Sequence, residues 1–103
     1  MFKIKLSLVL LSVFIILGCG KNSDAMLANK AGAPLLTGLG NHSHDISSNV
    51  YGVQRYFNQG MIMAFAFNHA ESIRSFKAAQ KLDPSCAMCF WGEALALGPN
   101  INV

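Results

Sequence analysis

Apolar and polar positions divide the chain into three stretches with different rhythms. Leu6 to Leu17 is an apolar run of twelve residues, relieved only by Ser7 and Ser12. That is the length of a secretory h-region and is too short for a spanning helix. From 20 to 45 no period survives, because Gly20, Asn22, Ser23, Gly32, Pro34, Gly38, Gly40 and Asn41 punctuate the segment. From Ser47 onward apolar and small residues recur at three- and four-residue spacing: Val50, Val53, Tyr56-Phe57, Gly60-Met61, Ala64. This is the mark of one buried helical face. It predicts a helix over about 49–66, with Asn49 or Ser48 as its N-cap. Asn68 with Glu71 three residues on forms a capping-box-like start for a second helix. That helix spans about 69–82, with Ala70, Ile73, Phe76 and Gln80 tracing its turns. Asp83-Pro84 stops it, and Pro84 also suits the first turn of a third helix over about 85–97. Gly98-Pro99 closes the series. The expected class is all-α. Met61, Met63, Phe65 and Phe67 alternate like a strand, but the surrounding helical period outweighs them and they are read as core and groove residues.

The central stretch is expected to be a tether. Its apolar content is too sparse to offset the entropy of ordering it, although Leu35, Leu36 and Leu39 would suit a short extended arm packed on the domain. Its upstream border carries a motif. Lys3 and Lys5 make a basic n-region, and Ile15-Ile16-Leu17-Gly18-Cys19 ends the apolar run. The pattern resembles the lipobox of bacterial lipoproteins. That resemblance implies cleavage before Cys19 and a diacylglycerol on its thiol; a plain secretory signal cut nearby is the alternative. The implied organisation is a signal peptide over 1–18, a lipid-anchored flexible linker over 19–46 and a helical region over 47–103. Gly20, where the Gram-negative sorting rule would read Asp as retention in the inner membrane, implies the outer membrane, facing the periplasm.

Charge changes meaning once the leader is set aside. The chain has 8 Lys and Arg against 5 acidic residues. Without Lys3 and Lys5 the balance is near +1, which leaves no electrostatic footprint for nucleic acid. The 85 residues from Cys19 onward suffice for one small domain.

The helical region has a finer pattern. Tyr56, Gly60, Ser72, Phe76, Ala79 and Pro84 stand where a tetratricopeptide repeat (TPR) places aromatic, small, small, aromatic, small and proline residues. Gln59 departs from the usual leucine, and Ser72 from the commonest alanine. One 34-residue period further on lie Phe90, Ala94 and Leu97, so about one and a half repeats are visible. The region therefore resembles a TPR-like antiparallel helical hairpin followed by a third helix. Four stretches make the likeness narrower: Leu39-Gly40-Asn41-His42-Ser43-His44, the segment from Phe67 to Phe76, the segment from Leu82 to Gly92, and the segment from Ala94 to Asn102. Together these look like the N-terminal part of a family of exported bacterial TPR proteins. Its members are usually several hundred residues long and mostly lack an assigned biochemical role. The resemblance implies that the chain is an N-terminal piece of a longer array. Repeats bury their faces only by stacking, so the outward face of the third helix, with Phe90 and Leu97, would be left open to self-association.

Candidate chemistry is limited. Cys86 and Cys89 share a helical face at i and i+3 near a helix start, where a thiol's pKa falls. They suit a disulfide, a redox dithiol, half of a metal site, or simply two small buried side chains. Haem attachment fails, since Phe90 stands where histidine is required. His42 and His44 alternate in an extended segment, and His69 opens the second helix. With the two cysteines and Met61, Met63 and Met88 they would form a soft site for copper, zinc or a haem pocket only if the fold brought them together. Arg74, Lys77 and Lys81 read as a solvated basic stripe. No nucleophile–base pair, paired carboxylates or phosphate loop appears, so no enzyme activity and no cofactor is expected. The leading expectation is a membrane-anchored protein- or peptide-binding module, with first-helix residues Asn58, Met61 and Phe65 lining its groove. The alternative is an exported metal-binding or redox protein using Cys86 and Cys89 with the histidines.

Overall fold

The computed structural model describes residues 19–99, with side chains from Ser23 onward. The n-region, the apolar run and the residues before Cys19 in the lipobox-like motif lie outside the described residues, as do 100–103. Among the described residues there are four α-helices and no strand: α1 (Cys19–Ala31), α2 (Val53–Phe65), α3 (His69–Leu82) and α4 (Ala87–Leu97). None of these helices is long and apolar enough to cross a membrane.

Helix α2 begins later than the periodicity suggests, and neither Ser48 nor Asn49 caps it. Gly52 occupies the N-cap position with φ 88°, in the left-handed region that glycine enters without a Cβ penalty. Ser48 is engaged elsewhere, donating its hydroxyl to Asp83 Oδ2 at 2.5 Å. Helix α3 has the expected bounds. The Asn68 side chain accepts from the Glu71 N–H at 3.3 Å, and Glu71 turns outward to pair with Arg74 at 2.9 Å. The third helix of the sequence reading, now α4, starts at Ala87 with Cys86 as N-cap. Pro84 therefore lies in the preceding turn and not in the helix.

Residue pairings show the helix directions. Ser72 Oγ donates to the Gly60 carbonyl (2.7 Å), Gln59 Nε2 to Ser75 Oγ (3.0 Å), and Phe57 meets Phe76 edge-on at 5.6 Å. As one number rises the other falls, so α2 and α3 run antiparallel. Phe76 of α3 faces Gly92 of α4, while Gln80, one turn on, donates to the Cys89 carbonyl at 3.2 Å, so α3 and α4 are antiparallel too. Phe76, fully buried, sits between Gly60 and Gly92. A Cβ at Gly60 would fall 2.8 Å from its ring, and one at Gly92 closer still. The two glycines are what let three helices stack around one phenylalanine. Tyr56, Gly60, Ser72, Phe76 and Ala79 are all buried at these contacts, while Pro84 is exposed.

The stretch expected as a tether differs most. Residues 19–31 are helical, and Leu27, Ala31 and Ala33 join the core. Leu27 fills the space beside Gly52, where a Cβ would come within 2.6 Å of its methyl. Asp24 receives a two-pronged hydrogen bond from Arg55 of α2, at 2.7 and 3.1 Å. Gly32, at φ 78°, ends α1 and donates its N–H to the Ala28 carbonyl at 2.8 Å. The composition offered too few apolar residues to foresee this helix: among its described side chains, Leu27 and Ala31 at i and i+4 are the buried ones.

Candidate interaction surface

Beyond Gly32 the chain runs without regular structure to Tyr51 and passes along α2. The contact is made by three amide side chains. Gln59 is buried, an unusual place for an amide, and both its polar atoms are hydrogen-bonded. Its Oε1 accepts from the Leu36 N–H (2.8 Å), and its Nε2 donates to the Pro34 carbonyl (3.1 Å) and to Ser75 Oγ (3.0 Å). One turn back, Gln54 accepts from the Ile46 N–H (3.1 Å) and donates to the His44 carbonyl (2.8 Å). Asn58 accepts from the His44 N–H (3.3 Å) and donates to Ser43 Oγ (3.0 Å). The Tyr56 hydroxyl donates to the Ala33 carbonyl at 2.6 Å, and burial pushes its pKa upward. Between these two clamped ends, Gly38 and Gly40 adopt positive φ, and a Cβ at either would meet nothing within 4 Å. A cleft of about 240 Å³ lies between the arm and α2, with Leu36, Leu39, His42, Asn58 and Ile62 in its walls.

The expected groove residues thus separate. Asn58 faces the arm. Phe65 is exposed and stacks edge-on with His42 at 5.6 Å. Met61 is buried in the core, with Met63 buried beside it. The surface expected to hold a partner already holds residues 33–46 of this chain. Gln54, Gln59 and the Tyr56 hydroxyl escaped the sequence reading as arm-holding groups. The one available hint was Gln59, a polar residue at a position the repeat pattern gives to leucine.

The candidate metal ligands do not converge. Cys86 and Cys89 are joined by a disulfide, with Cys89 fully buried and Cys86 nearly so. Cys86 Sγ also accepts the Cys89 N–H at 3.2 Å, so the pair forms the cap of α4. His42 lies on Phe65, His44 lies 6.3 Å from Phe57, and His69 lies 6.4 Å from Phe67. Both ring nitrogens of His69 are shielded and lack a hydrogen-bond partner. Among the described residues no three His, Cys, Asp or Glu side chains group to hold a metal ion. The basic stripe is partly paired: Arg74 meets Glu71, Lys77 meets Glu93 at 3.5 Å, and Lys81 is exposed.

Two other features complete the surface. A cleft of about 490 Å³ opens between α1 and the turn before α2, with Met26, Leu27, Lys30, Val50 and Tyr51 in its walls. Helix α4 turns Cys89, Gly92 and Ala96 inward and leaves Phe90, Trp91, Leu95 and Leu97 about half exposed or more. Beneath α4, Asp83 receives Ser48 Oγ, Ser85 Oγ (2.6 Å) and the Ser85 N–H (3.0 Å). These donors, the Ser48 hydroxyl foremost, hold its carboxyl below the ordinary range. No family model, no curated protein and no solved structure matches the chain.

Proposed function

We propose that this chain is a non-enzymatic, TPR-type interaction module, carried on a membrane by lipid at Cys19. The observation that carries the reading is the stack of α2, α3 and α4 around Phe76, with a broad apolar face left on α4. Phe90, Ala94 and Leu97 recur one 34-residue period after Tyr56, Gly60 and Met63, and all three are exposed. In a repeat array those positions would meet a following helix, so the face fits a partner helix, a further repeat or a second copy. The lipid anchor rests on the lipobox resemblance, and Gly20 favours the outer membrane of a Gram-negative cell, facing the periplasm.

Two measurements test the proposal. Intact mass spectrometry of membrane-extracted protein should show diacylglycerol on Cys19; an unacylated chain beginning elsewhere removes the anchor. A photo-crosslinking residue at position 95 in the membrane-bound protein should give a discrete protein adduct, whereas the same group at position 77 should not. Equal, diffuse labelling from both positions would count against a binding face on α4.

A further inference from the structure

We infer that the α2 face carrying Gln54, Asn58 and Gln59 is a binding surface for an extended polypeptide backbone, and that residues 33–46 are its built-in, displaceable occupant. The inference rests on the interaction-module reading and adds a regulatory contact to it.

The chemistry of the contact carries the argument. Six of the seven hydrogen bonds between α2 and the arm end on arm backbone: the carbonyls of Ala33, Pro34 and His44 and the N–H groups of Leu36, His44 and Ile46. Side-chain amides present a donor and an acceptor together, which matches the paired N–H and C=O of an extended chain. Such contacts do not read side-chain identity, so another extended segment would satisfy the same groups. The middle of the arm is more loosely held: 37–43 is exposed apart from half-buried Leu39, and meets α2 through the Ser43 hydroxyl and the His42 ring. Apolar anchoring is confined to the ends, at Ala33 and Leu35 on one side and Ile46 on the other. An occupant held at two ends by backbone contacts, with an exposed centre and two glycines at positive φ, can be exchanged one end at a time.

The partner is therefore an extended peptide segment that competes with the arm. Its apparent affinity is reduced by the fraction of molecules whose arm is released. A surface open about one tenth of the time binds about tenfold more weakly than a free one.

The test uses the full chain and a fluorescein-labelled peptide with the sequence of residues 33–46. The double variant Leu36→Pro with Ile46→Pro removes two arm N–H donors and leaves α2 untouched. It should bind the peptide at least about tenfold more tightly than the unaltered chain. Adding Gln54→Ala and Asn58→Ala should abolish that gain. A proline variant that binds no better, or binding that survives loss of Gln54 and Asn58, overturns the inference. Native-state hydrogen exchange on the unaltered chain supplies a measurement free of folding defects. The N–H groups of Leu36, His44 and Ile46 should exchange through openings far more frequent than those exposing the Tyr56 amide of α2. Exchange of all four through one global event would make the arm a fixed part of the core and sink the proposal. The α4 crosslinking result does not depend on either outcome.

Discussion

Replacing Gln59 by leucine separates two accounts of the helical region. A repeat pattern alone favours Leu at this position, so Gln59→Leu should then stabilise the stack. The structure predicts the opposite. Gln59 makes three hydrogen bonds, to Pro34, Leu36 and Ser75, each worth about 1 kcal/mol net. Their loss sets an upper figure of about 3 kcal/mol. Part of this is recovered. Pro34 and Leu36 are exposed residues whose freed backbone groups reach water, and Ser75 keeps its 2.8 Å bond to the Glu71 carbonyl. The added apolar surface of leucine returns roughly 1 kcal/mol. The expected net loss is about 1–2 kcal/mol, read as a lower midpoint in equilibrium urea unfolding followed by far-UV circular dichroism. Exchange at the Leu36 amide should accelerate in step. A Gln59→Leu variant as stable as the parent, with Leu36 protection unchanged, would refute the clamp.

Other perturbations probe separate contacts. Gly92→Ala drives a methyl into the Phe76 ring and should cost about 1–3 kcal/mol by overpacking, measured as a drop in Tm. The double variant Cys86→Ala with Cys89→Ala removes a bridge across a four-residue loop. Loss of the bridge should cost about 2 kcal/mol by the chain-entropy estimate, and a thiol reductant should lower the parent's urea midpoint toward the variant's without moving the variant. Asp83 titrates below its ordinary range in the folded chain. Its contribution is thus complete above the unfolded carboxyl pKa of about 4 and disappears as pH falls toward the lower folded value. Stability measured from neutral pH downward should show this acid loss, and Asp83→Asn should flatten it.

The helices from Val53 onward were legible because each has a local cause: a 3.6-residue apolar period, Asn68 as a side-chain cap, and Pro84 or Gly98 just beyond the ends of α3 and α4. The start of α2 was not, because Gly52 caps it through backbone conformation and leaves no side-chain signature. Helix α1 was illegible for a different reason. Its stability comes from Leu27 packing beside Gly52 and from Asp24 meeting Arg55, partners 25 and 31 residues away in sequence. No local window contains both halves of either contact. The cysteine pair could be placed near a helix start, but not assigned among bridge, thiol and ligand, since spacing alone suits all three. Asn58, expected to line a partner groove, faces residues 43 and 44 of the arm instead. That arm was missed because a segment rich in Gly, Asn and Ser reads as solvent-exposed when its backbone partners are amide side chains elsewhere.

Helix α1 also alters what an anchor at Cys19 would do. A flexible leash leaves a domain free to tumble above a membrane and sets only its local concentration. A helix that runs on from Cys19 would instead act as a spar. At 1.5 Å per residue its thirteen residues reach about 20 Å, and the Asp24–Arg55 and Leu27–Gly52 contacts clamp it to the start of α2. With lipid on Cys19, the attitude of the stack to the bilayer would be restricted by this joint as well as its distance. Cutting the Asp24–Arg55 pair would then loosen the domain's orientation while leaving it fully membrane-bound.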